Sequence, residues 1–126
     1  MSEKEIWRER WLVSINELTS IDLQKKSWLM KENENPHWSF IEFTSCYFDD
    51  LCLDDDYLDV LKSNWVSTEE FEILKNWHFK LKSYNPPNDD CYNHELILKD
   101  INWIELVESG KKVRVELLNF FTNPEN

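Results

Sequence analysis

An all-α single domain, a bundle of five to seven helices around a central aromatic-rich helix, is the expected product of this sequence. Three observations carry that expectation. Apolar residues recur at helical spacing in several segments. The chain holds one glycine, Gly110, and four prolines, too few turn residues for a sandwich or barrel of many short strands. Seven Trp, seven Phe and four Tyr supply a core of large side chains, each removing about 150–250 Å² from water when buried. At 126 residues the chain is read as one domain, 1–126. A chain of this length buries about two thirds of its unfolded surface and needs no disulfide or metal staple.

The elements follow in order. Trp7, Trp11, Ile15 and Leu18 form one stripe of a helix over residues 3–18, with Arg8, Arg10 and Glu17 off the stripe. A shorter helix begins near Asp22 and carries Leu23, Trp28 and Leu29. A polar loop, Lys31 to Asn35, is closed by Pro36, which suits the first turn of a helix. Trp38 to Leu51 is the most apolar segment, with Phe40, Ile41, Tyr47, Phe48 and Leu51 on one face and Trp38, Phe43 and Cys46 on others. An all-round apolar helix is central, although these aromatics also suit a strand.

Asp54, Asp55 and Asp56 precede a short helix holding Tyr57, Val60, Leu61 and Trp65, and acids at a helix start are favoured by the macrodipole. Ser67-Thr68-Glu69-Glu70 is a capping box. It opens a helix whose stripe is Phe71, Leu74, Trp77, His78, Leu81 and Tyr84, stopped by Pro86 and Pro87. His94 to Lys99 fits a helical turn or a short strand. Asp100 caps a last helix bearing Trp103, Ile104, Val107, Leu117, Leu118 and Phe121, and Gly110 inside it predicts a break or kink.

Charge limits function. With 25 acidic against 14 basic residues the net charge is −11. That argues against nucleic acid, whose phosphates need a basic face, and against an anionic membrane surface. It favours solubility and steering toward a basic partner. Cys46, Cys52 and Cys91 are an odd number at irregular spacing, which fits a reducing cytosol rather than a disulfide framework. The charged N-terminus carries no apolar signal core, and no run approaches the ~18 apolar residues of a membrane helix.

Catalytic signatures are sparse. One glycine leaves no phosphate loop, and there is no nucleophile elbow or zincin helix. A zinc site from Cys46, Cys52, Cys91 and His94 lacks the paired short spacing such sites use, so these thiols are read as small core hydrophobes. No cofactor and no metal is expected. Glu42 and His78 each sit in an otherwise apolar helical stretch. A buried carboxylate or imidazole needs a partner, so the pair, or nearby Tyr hydroxyls, should satisfy one another. The functional alternative is an acid–base pair in a cleft. Asp49, Asp50, Asp54, Asp55, Asp56 and Asp59 put six carboxylates in eleven positions. They lack the Gly turn and twelfth-position Glu of a calcium loop, and Asp89 and Asp90 extend them. These eight are the candidate partner-binding residues.

Asn35-Pro36-His37-Trp38-Ser39-Phe40-Ile41-Glu42-Phe43, then Tyr47-Phe48-Asp49-Asp50-Leu51, Trp77-His78, Tyr84-Asn85-Pro86-Pro87 and the run from Asp89 to Leu98 resemble a group of small acidic bacterial proteins. These are the immunity proteins of contact-dependent growth inhibition and related polymorphic toxin systems. The resemblance spans about Asn35 to Val107. It implies a chain made beside a large secreted toxin, binding that toxin's C-terminal domain in the cytosol and blocking it. Such toxin domains are often basic nucleases, so an acidic inhibitor covers the nucleic-acid site. The resemblance carries a class of function and no residue-by-residue site. The rival expectations are a small enzyme using Glu42, His78 and His37, and a homo-oligomeric helical adaptor; the oligomeric state stays open.

Overall fold

The computed structural model describes residues 2–30, 37–51, 53 and 57–122. Among them there are seven α-helices and no strand. They are α1 (Glu3–Leu18), α2 (Ile21–Lys25), α3 (Phe40–Ser45), α4 (Tyr57–Lys62), α5 (Thr68–Ser83), α6 (His94–Lys99) and α7 (Ile101–Thr122). Two helices widen into π turns, α2 through Lys26–Met30 and α3 through Cys46–Asp50. No helix among the described residues is long and apolar enough to cross a membrane.

Caps define most of the starts. Ser2, Ser20, Ser39, Ser67 and Asn93 each accept a backbone N–H two or three residues into the helix that follows, which removes one orphan donor per helix. The α5 box is complete, with Glu70 reaching back to the Ser67 amide. Asp100 accepts from Asn102 N at 3.2 Å at the start of α7. The helix expected near Pro36 starts instead at Phe40 with Ser39 as its cap; Pro36 itself and the preceding loop lie outside the described residues.

The core is aromatic. Trp28 packs edge-on against Phe40 and Phe43 and tilted against His94 and Trp103. Tyr47 and Phe43 of the α3 segment are fully buried, so that segment holds the central place expected of it. The α1 stripe of Trp7, Trp11, Ile15 and Leu18 is buried as its spacing requires. Polar pins tie α1 to its neighbours. Trp7 Nε1 donates to Leu51 O at 3.0 Å. Arg8 donates to Trp65 O at 2.8 Å and makes a two-point bond to the Glu70 carboxylate at 2.6 and 3.0 Å. Buried Gln24 accepts from Trp103 Nε1 and donates to Glu17 O. Each pin satisfies a buried polar group that would otherwise cost about 1–3 kcal/mol.

Gly110 overturns one expectation. α7 runs without a break from Ile101 to Thr122. The glycine is there because Trp77 of α5 and Thr19 press against the α7 backbone. A Cβ at Gly110 would stand 2.6 Å from both Trp77 Nε1 and Thr19 Cγ2. The indole is fixed by its own bond to Leu106 O, 3.2 Å away, so it cannot retreat cheaply. Gly110→Ala therefore destabilises the fold by about 1–3 kcal/mol, although alanine gains about 1 kcal/mol of helix propensity. Urea unfolding of the variant should show a lower midpoint; an unchanged or raised midpoint refutes this account of α5–α7 packing.

Candidate functional site

The structure separates Glu42 from His78. Glu42 is exposed at the start of α3, where its carboxylate accepts from Trp38 N at 3.1 Å and from the Ser39 hydroxyl at 3.2 Å. Ser39-Phe40-Ile41-Glu42 has the same Ser-x-x-Glu form as the α5 box, so Glu42 serves the helix end rather than the core. The expected buried pair and the acid–base reading built on it are therefore corrected.

His78 is fully buried and shares a 2.8 Å hydrogen bond through Nδ1 with the Tyr47 hydroxyl. Tyr57 stacks on it with ring centroids 3.9 Å apart. Its Nε2 has no hydrogen-bond partner among the described residues. Burial, with a smaller contribution from the Lys82 charge, pushes its pKa down to about 4. His78 is a neutral core imidazole bonded through one nitrogen to a tyrosine hydroxyl, the nearby-Tyr alternative that the sequence offers.

A different trio converges where local patterning gives no hint. Glu17, read from the sequence as lying off the apolar stripe, is 2% exposed. Its carboxylate meets His37 Nδ1 at 2.8 Å. His37 Nε2 in turn lies 3.2 Å from Cys46 Sγ. The three residues come from α1, from the non-helical segment before α3, and from the π turn after it. A π turn inside a helix is a recurrent feature of functional sites. Here it carries both Cys46 and Asp50 to the α1 side, where they line a cavity of about 520 Å³ with Glu9, Arg10, Val13, Ser14, Glu17 and His37.

The order Cys–His–Glu is that of an activated thiol, and the electrostatics decide against it. Burial raises the Cys46 pKa to about 11, and Asp50, Glu17 and Glu42 add to the rise through their negative charge. A reactive thiol sits instead at a helix N-terminus or beside cations. Cys46 follows the last α-helical residue of α3, toward the negative end of the helix dipole. The thiol, with its pKa raised to about 11, stays protonated near neutral pH and has the Asp50 carboxylate and His37 Nε2, 3.2 Å away, as hydrogen-bond partners. The relay orders the cavity wall without generating a nucleophile.

No family model, curated protein or solved structure matches this chain. The site therefore stands on its geometry.

Of the candidate acids, Asp49, Asp50, Asp59, Asp89 and Asp90 are exposed. Asp54, Asp55 and Asp56 lie outside the described residues, as does Cys52. Asp50 and Asp59 share a groove of about 380 Å³ with Trp7, Leu51, Val60, Ser63 and Trp65. Asp50 also walls a smaller pocket with Glu3, Ile6 and Arg10. Asp90 lies apart, beside Leu29, Glu95 and Tyr92, whose ring is 76% exposed; none of the three cavities around Asp50 includes Asp89 or Asp90. Cys46 and Cys91 are half-buried rather than core residues, and His94 Nε2 faces Phe40 N at 3.3 Å instead of a thiol. Among the described residues no group of three or more His, Cys, Asp and Glu is placed to hold a metal ion.

Two measurements test this description. In a Cys52→Ser/Cys91→Ser background, alkylation of Cys46 by iodoacetamide should be slow at pH 7 and climb up to about pH 11, following the thiolate fraction; a rate that plateaus below pH 8 identifies an activated nucleophile. For His78, the folded pKa lies below the unfolded value of 6.5. Its contribution is thus complete above pH 6.5 and is lost as pH falls toward 4, by about 2–3 kcal/mol. Denaturant midpoints between pH 7 and 4 should fall accordingly and the slope should shrink in His78→Gln; an identical slope in the variant removes His78 as its source.

Proposed function

We propose that this chain is an immunity-type inhibitor, a protein that acts by binding a basic toxin domain in the cytosol rather than by catalysis. One observation supports the reading above others. Asp50 forms a common wall of three adjoining cavities, and their combined rim carries Glu3, Glu9 and Asp59 among the partly exposed apolar residues Ile6, Val13 and Trp65. Carboxylates set around aromatic and aliphatic surface suit a protein interface, where buried apolar anchors supply affinity and a charged rim supplies steering. The net charge of −11 extends that field over the whole molecule. The resemblance to immunity proteins of polymorphic toxin systems gives the partner its class: a positively charged toxin C-terminal domain, encoded beside the inhibitor and neutralised by occlusion. Asp49, Asp54, Asp55 and Asp56 belong to the same stretch of chain and add to its charge.

The Tyr92 region is the secondary contact in this reading. Asp90 lies beside the exposed Tyr92 ring, with Asp89 next to it in the chain, a combination that serves as a hot spot when a partner covers it.

Stopped-flow association with the toxin domain encoded next to the chain, at several salt concentrations, tests the proposal. Asp50→Lys/Asp59→Lys should slow association about tenfold or more at low salt and flatten its salt dependence. Asp89→Lys/Asp90→Lys should have the smaller effect. An association rate indifferent to the Asp50 and Asp59 reversals overturns the proposal.

A further inference from the structure

We propose that this chain pairs with a second copy of itself, the C-terminal half of α7 from one copy lying in the groove beside Trp7 and Trp65 of the other. The inference needs no toxin, since both surfaces belong to this chain.

The two halves of α7 differ. Before Gly110 the helix buries Trp103, Leu106 and Val107, whereas from Lys111 to Phe120 it buries only Leu117. The outer side of this second half carries Val115 and Leu118, 54% and 38% exposed. Lys111 and Arg114 lie on the same stripe, because positions i, i+3, i+4 and i+7 of a helix share a face. Lys112 borders it, and Lys111 also meets Glu108 at 3.3 Å. From Lys111 to Leu118 the sequence has three cations and one carboxylate, Glu116, on a chain whose net charge is −11. This stretch is an apolar pair set among positive charges.

The groove has the opposite electrostatic character. Its floor is Trp7 and Trp65, edge to face with ring centroids 5.5 Å apart, together with Leu51 and Val60. Exposed Ile6 continues the apolar surface into the adjoining pocket. Glu3, Asp50 and Asp59 stand around it against one cation, Arg10. An amphipathic helix laid into an apolar groove is a recurrent mode of recognition, and here both complements are present on one chain.

The number of contacts fixes the assembly. A single helix face in a single groove is small beside the ~1,200 Å² at the lower end of specific interfaces. A two-fold dimer makes the contact twice, each copy giving its helix and receiving its partner's. Repulsion between two chains of −11 acts against pairing. At physiological salt, charges more than about 8 Å apart are largely screened, while pairs partly buried in a contact are screened much less. The groove filled by α7 is also the surface proposed above for the toxin, so the dimer and the toxin complex exclude one another.

Sedimentation velocity of the full chain at physiological salt, over a concentration series, tests the proposal. The wild type should pass from monomer to dimer as concentration rises. Asp50→Lys/Asp59→Lys and, separately, Lys112→Glu/Arg114→Glu should each weaken pairing about tenfold or more. Mixing the two variants should restore it, because the groove of each then meets a helix of opposite charge. Val115→Ser/Leu118→Ser, which alters no charge, should weaken pairing as well. Circular dichroism of each variant should match the wild type, since all six positions lie outside the core. The proposal is overturned by a wild type that stays monomeric at every concentration, by pairing that the reversals or the serine variant leave unchanged, or by a mixture of folded variants that pairs no better than its components. A monomeric wild type leaves the groove to a heterologous basic partner, and the inhibitor reading then stands or falls on its own association measurement.

Discussion

The carboxylate of Glu17, buried on the first helix, is the constraint from which the candidate site follows. A carboxylate taken out of water without a partner costs several kcal/mol or gives up its charge. Glu17 is the residue before the last of α1, at the flank of the Trp7–Leu18 stripe, and the segment that crosses it must bring a donor. His37 does so. Once His37 is fixed, the chain has two residues in which to reach the Ser39 cap, which sets where α3 starts and in which direction its side chains point. Cys46 then meets the far side of the imidazole, and Asp50, one turn further, lands on the cavity rim. A single buried charge thus sets the entry of the central helix and the position of the acid that three cavities share.

Two other buried titratable groups show the opposite solutions to the same problem. Glu70 keeps its charge. Burial disfavours ionisation there, but bonds from Arg8 and from Ser67, with the Arg8 charge, outweigh it and hold the pKa below the usual carboxylate value. The guanidinium that does this also bonds Trp65 O, so one ion pair clamps α1 to the turn before α5. His78 gives its charge up, because Tyr47, Tyr57, Phe48 and Phe79 surround it with rings and one hydroxyl. Where a guanidinium bonds a buried carboxylate, as at Glu70, the group is ionised and joins elements. Where rings enclose a buried imidazole and the charge acting on it is the cation of Lys82, as at His78, it is neutral and behaves as part of the core.

This difference explains what the sequence discloses and what it withholds. Information carried by neighbours along the chain is legible. The α1 stripe, the Ser67–Glu70 box, the stop at Pro86 and the aromatic centre all arise from spacings of a few residues, and all appear in the fold. The cap at Ser39 has the same local form, but the run of aromatics after it masks the signal and makes Glu42 look like an interior acid. Gly110 reads as a helix breaker because propensity is local, whereas its cause is an indole from another helix. The Glu17–His37–Cys46 relay spans separations of 20 and 9 residues and three kinds of backbone, so no periodicity announces it. The π turn that completes it shifts the facing of every residue after Ser45, which a fixed 3.6-residue period misplaces.

The same relay sets what the Cys46 thiol meets. A nucleophilic thiol requires surroundings that favour its anion, and a surface that attracts a basic partner requires surroundings that favour a cation. One electrostatic potential cannot serve both ends. Around Cys46 the neighbouring charges are Asp50, Glu17 and Glu42, and the helix end adds negative potential of its own. The cysteine has a place in such a wall as a small polarisable group that lies against His37 and Asp50 and brings no charge of its own near neutral pH. In this arrangement Glu17 holds the imidazole and the imidazole meets the thiol, so the three fix one wall of the cavity.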